Sequence, residues 1–73
     1  MNKFEKFLNK PINIPVSKLG YYSHNDIEYK RGEYTGYNFN LNKYFFSLYD
    51  GSTIQKNYND AKFIFKLNNL IDD

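Results

Sequence analysis

The sequence contains no cysteine, which excludes a disulfide framework, a thiolate metal site and a thiol nucleophile together. Stability must then come from packing, and at 73 residues folding buries only about 60% of the surface of the unfolded chain. His24 is the single histidine, so zinc motifs built on two histidines are excluded. No basic stripe is present either: the formal charge is +2, basic residues alternate with acidic ones, and only Lys30 and Arg31 are adjacent. Strong nucleic-acid binding rests on phosphate neutralisation by such a stripe. Near Met1 the apolar residues Phe4, Phe7 and Leu8 are interrupted by Glu5 and Lys6, unlike a secretory signal, and no apolar run reaches the length of a bilayer span. The lack of cysteine fits a reducing compartment, and the expectation is one soluble, cytoplasmic domain over residues 1–73, with no membrane, cofactor or metal.

What the chain has in quantity is aromatic rings, eight tyrosines and seven phenylalanines. Their spacing gives the fold. Phe4, Phe7 and Leu8 stand at i, i+3 and i+4, one face of a short N-terminal helix that Pro11 ends. Residues 10–16 read as extended and 17–26 as loop, with at most a short strand at Leu19 to Tyr22. From Ile27 the period becomes two: a strand through Lys30, a turn at Arg31-Gly32, then 33–42 with Tyr37, Phe39 and Leu41 on one side. A two-residue reversal at Leu41-Asn42 sets Phe39 opposite Tyr44 and Tyr37 opposite Phe46. Asp50-Gly51 reads as a two-residue hairpin turn, with Phe46 opposite Gln55. Asn59 or Asp60 caps a helix through Ile71. The fold class is α+β: a small antiparallel meander of three to four strands, with a short N-terminal helix and a C-terminal helix packed on the sheet.

On that final helix Phe63, Ile64, Leu67, Leu70 and Ile71 form one arc and are predicted to meet the sheet, while Phe65 falls among the polar residues. The strand "YFFSLY" is apolar on both parities and so is expected to be covered on both faces. Phe45, Tyr49 and Ile54 then lie under the N-terminal helix or against a partner. Surplus rings are candidate contacts with another protein, since tyrosine offers a rigid apolar body with a polar tip: Phe45, Tyr49, Phe65, Tyr21, Tyr22, Tyr29 and Tyr34.

Catalytic chemistry is sparsely supplied. "SHND", Ser23 to Asp26, holds triad letters that consecutive residues cannot assemble, and it reads as a polar turn. Of the carboxylates Glu28, Glu33, Asp50 and Asp60, the hairpin turn takes Asp50 and the helix cap Asp60. Gly32, Gly36 and Gly51 are separated by strand residues and form no phosphate-cradling loop. Lys30 and Arg31 with Tyr29, Tyr34 and Tyr37 make the nucleic-acid alternative, a basic hairpin tip over 29–37 beside stacking rings.

In size, in its Asn, Lys and Tyr bias and in the unit "YDGSTIQKNYNDAKFIFKL", the chain resembles the small accessory and inhibitor proteins of bacteriophages and mobile elements, among them anti-CRISPR and other counter-defence proteins. The resemblance implies a viral, non-enzymatic inhibitor that binds a host nuclease or defence complex stoichiometrically. A three-stranded sheet with one helix also resembles the DNA-binding domains of integrases, which use basic residues on a sheet that here carries asparagines and tyrosines. A structural subunit whose uncovered sheet face pairs with its own copy, as a homodimer, is the third reading.

Overall fold

The computed structural model describes residues 4–16 and 28–71. The elements run in the order 3-10 turn Glu5–Phe7, β1 Pro11–Pro15, β2 Tyr29–Asn38, β3 Lys43–Leu48, β4 Thr53–Lys56 and α1 Tyr58–Leu67. All neighbouring strands are antiparallel, in the order β1-β2-β3-β4. The chain is α+β, a four-stranded meander with a helix packed on it. The N-terminal helix of the sequence reading shortens to the 3-10 turn. Among the described residues no helix is long and apolar enough to cross a membrane.

Residues 11–15 form an edge strand rather than a bare crossing segment. Val16 N–H donates to the Glu28 carbonyl at 2.8 Å, which makes Val16 and Glu28 a hydrogen-bonded pair. By the alternation of antiparallel ladders, Ile14 and Ile12 then bond inward and residues 11, 13 and 15 turn their backbone outward. Two of these are prolines, which an edge strand tolerates at outward positions because no ladder bond is lost. Asn68 serves the third: its side chain accepts from Asn13 N–H at 2.9 Å and donates to the Asn13 carbonyl at 2.8 Å.

No turn interrupts Arg31-Gly32; β2 runs straight through it, so the 29–37 hairpin does not form. The glycine answers a close approach instead, because a Cβ there would sit 2.5 Å from the Ser47 carbonyl oxygen and 2.9 Å from both Ile14 Cδ1 and Leu48 Cδ2. A β-bulge between Tyr34 and Gly36 inserts Thr35 and re-phases the strand. Tyr34 and Tyr37, of opposite parity in the sequence, therefore both lie on the helix side, opposite Phe46 and Tyr44 respectively.

Both hairpins differ from their predicted register. Residues 39–42 form the first connection, in which Asn38 Oδ1 accepts from Leu41 N–H at 2.9 Å and Asn42 adopts φ 55°. Phe39, which the predicted two-residue reversal set opposite Tyr44, instead stands 82% exposed at this tip. At the second connection Leu48 and Ser52 pair directly, Gly51 N–H donates to the Leu48 carbonyl at 3.0 Å, and Gly51 has φ 97°. Three residues turn the chain instead of two, an arrangement that calls for a left-handed glycine at its end. The one-residue slip moves Ile54 opposite Phe46, so Ile54 leaves the face of Phe45 and packs against the core. Gly51→Val is expected to lower stability by about 1 kcal/mol or more, because a β-branched residue resists positive φ; chemical denaturation measures it.

The helix is capped by Asn57, ahead of the predicted Asn59 or Asp60, with Asn57 Oδ1 accepting from Asp60 N–H at 2.8 Å. It ends at Leu67: Asn69 turns left-handed at φ 60°, and Asn69 and Leu70 N–H donate back to the Lys66 and Phe65 carbonyls, each at 3.0 Å. Leu70 and Ile71 thus lie past the helix and do not share its periodicity. The buried face is Ala61, Ile64 and Phe65, whereas Phe63 and Leu67 are 40% and 37% exposed, a rotation of about 100° from the predicted arc, or one residue. Phe4 and Phe7 occupy the same layer as α1, with centroids 4.6 and 4.9 Å from the Phe65 ring. One layer of helix and turn covers one side of the sheet, and among the described residues no element covers the other.

Candidate binding face

The uncovered face is set by the same alternation. In cross-strand order it presents Asn13 and Arg31, Glu33 and Ser47, Gly36 and Phe45, with Thr53 and Gln55 on the far strand. Phe45 is half-buried and Tyr49, just beyond β3, is 58% exposed. Their polar surroundings are paired. Tyr49 Oη donates to Glu33 Oε2 at 2.7 Å, a bond that raises the phenol's pKa above its ordinary value by holding the proton. Arg31 Nη1 donates to Asn13 Oδ1 at 3.0 Å. Beside Phe45 the bulge leaves a shallow depression of about 240 Å³, lined by Thr35, Gly36, Tyr37, Asn38 and Phe45. The exposed tip with Phe39 and Leu41, the latter 56% exposed, follows Asn38 directly.

Of the partner-binding candidates named from sequence, Phe45, Tyr49 and Tyr29, the last 44% exposed, are accessible. Phe65 and Tyr34 are not: both have 0% exposure, and their rings meet edge-on at 5.5 Å and 84°. Phe65 fills the centre of the core because the rotated helix turns it inward, and Tyr34 does so because the bulge flips its parity. Tyr21 and Tyr22, like Ser23, His24 and Asp26, lie outside the described residues. The nucleic-acid alternative loses its geometry. Successive strand residues point to opposite faces, so Lys30 and Arg31 do not combine; Lys30 Nζ meets Asp50 Oδ2 at 2.9 Å on the other side. Tyr37 is half-buried and donates to Asn42 Oδ1 at 2.6 Å. Sequence reasoning missed the exposed Phe39 and Leu41, whose clean alternation with asparagines looked like a strand, and the polar role of Glu33.

Asp50 anchors the turn at the end of this face. Its Oδ1 accepts from Ser52 Oγ at 2.6 Å and Ser52 N–H at 2.9 Å. The Ser52 hydroxyl, then Lys30 and the Ser52 amide, hold the carboxyl far below its ordinary value of 3.8. A carboxylate whose folded pKa is depressed contributes stability above its unfolded pKa and loses it as the pH falls through the folded one. The turn is therefore expected to survive at pH values where free aspartate is protonated. Following the Asp50 carboxyl by NMR should give a midpoint well below 3.8; a midpoint at that value would mean the turn bonds do not form. Among the described residues no cluster of histidine and carboxylate side chains could hold a metal ion.

No family model, no curated protein and no solved structure matches this chain.

Proposed function

We propose that this chain is a non-enzymatic binding protein whose uncovered sheet face docks on another protein. The observation that carries the reading is the half-buried Phe45 beside the exposed Tyr49, set in paired polar groups of both signs on a face that no described element covers. Aromatic rings inside a mixed-charge rim are the composition of protein interfaces, where a few such anchors supply most of the energy. A phosphate-binding face would instead gather like-charged cations, and here Arg31 stands beside Glu33. The resemblance to phage inhibitors makes a host nuclease or defence enzyme the class of partner, held stoichiometrically and blocked by occlusion.

Affinity capture from host extract with the tagged chain, followed by mass spectrometry, tests it when paired with the Phe45→Ala, Tyr49→Ala double variant. The wild type is expected to retain one protein reproducibly, and the variant to hold it at least tenfold more weakly while keeping its circular dichroism spectrum. Undiminished capture by the folded variant would remove the face from the account. Retention of nucleic acid alone, falling steeply with salt, would overturn protein binding itself.

A further inference from the structure

The sheet has two edges, and only one is sealed. Along β1 no outward N–H is left to donate: Pro11 and Pro15 have none, and Asn13 gives both its N–H and its carbonyl to the Asn68 side chain. Along β4 the pairing of Leu48 with Ser52 fixes Phe46–Ile54 and Tyr44–Lys56 as the hydrogen-bonded pairs. The N–H and carbonyl groups of Thr53 and Gln55 therefore point away from β3. Both residues are exposed. No described element lies beyond them, because β4 is the last strand of the sheet.

We infer that a second copy of this chain pairs with β4, antiparallel, about a two-fold axis through Ile54. Parity and bond count together select the register. Outward groups bond only to outward groups, and only the axis through Ile54 pairs both outward residues of the strand, Thr53 with Gln55 of the second copy and Gln55 with its Thr53, four backbone hydrogen bonds in the ideal ladder. The same register sets the half-buried Ile54 against its own counterpart in the non-hydrogen-bonded position, where side chains approach most closely. It also sets Lys56 opposite Ser52 of the second copy, the residue whose hydroxyl and amide bind the Asp50 carboxylate. Cation then meets anion twice, once for each copy. With the β1 edges sealed, the two-fold pairing closes into an eight-stranded sheet and does not propagate into a fibre. Four residues of strand make a small interface, hence a dimer that forms in the micromolar-to-millimolar range.

Sedimentation of the full chain over that range is expected to show a monomer–dimer equilibrium. Gln55→Pro removes an outward donor as Pro11 and Pro15 do on the opposite edge, and it should raise the dissociation constant at least tenfold. Lys56→Glu, which faces the carboxylate with its like, should raise it severalfold. Should the proline variant misfold, amide exchange decides on the wild type: Thr53 and Gln55 N–H should slow as concentration rises. A chain monomeric at millimolar concentration, or a dimer indifferent to both substitutions with unaltered exchange at these two amides, would overturn the pairing and leave the edge to an extended segment of another protein. The open-face variants Phe45→Ala and Tyr49→Ala are expected to dimerise normally, so failure of the docking reading and failure of this one are separately visible.

Discussion

Phe65→Ala is expected to cost about 3–5 kcal/mol, the range for removing a fully buried aromatic side chain. A domain of this size holds roughly 4–11 kcal/mol in total, so the variant should be largely unfolded well below the melting temperature of the parent. The magnitude follows from position. The ring has no exposed surface and joins three parts of the chain: Phe4 and Phe7 of the N-terminal turn, Tyr34 of β2, and Phe46 of β3, whose centroid lies 5.7 Å away. Truncation therefore opens a cavity among aromatic groups that cannot all collapse into it. Urea denaturation measures the loss; a change within 0.5 kcal/mol, the usual size for a surface position, would place the ring on the outside.

Gly32→Ala should cost about 3 kcal/mol, at the upper end for overpacking a core. A single added methyl would stand 2.5 Å from a backbone oxygen of β3, and that oxygen is held in the ladder. The two other neighbours at 2.9 Å are the ends of Ile14 and Leu48, which can rotate; the carbonyl cannot without separating β2 from β3. A variant as stable as the parent in a melt would show that the strands tolerate the separation, and with it that the close approach is not structural.

These two positions also mark where the sequence is legible and where it is not. The short apolar run "YFFSLY" and the Asp50-Gly51 signal were enough to find β3, β4 and the turn between them. Helix existence was equally plain, because apolar residues recur at helical spacing from Phe63 onward. Its rotation was not plain: Leu70 and Ile71 entered the apolar arc although Asn69 had already ended the helix, and they pulled the predicted face away from Phe65. Glycine at position 32 has two physical meanings, turn and close approach, and only the partner strand distinguishes them. The bulge at Thr35 is likewise invisible to alternation, which is why Tyr34 read as a surface ring. Of the candidate face, Phe45 and Tyr49 followed from the apolar doubling of "YFFSLY". Their company depended on long-range pairing that no local pattern encodes: the β2–β3 register brings Glu33 and Arg31, and the β1–β2 pairing brings Asn13.

Docking by the open face can be read out position by position with a photo-crosslinking phenylalanine analogue placed at Phe45, at Tyr49, or at Lys66 on the exposed side of α1, and illuminated in the host cell. One crosslinked protein shared by positions 45 and 49 and absent at 66 is the expected result. Crosslinks to a protein from position 66 alone, or to nucleic acid alone from the sheet positions, would contradict it.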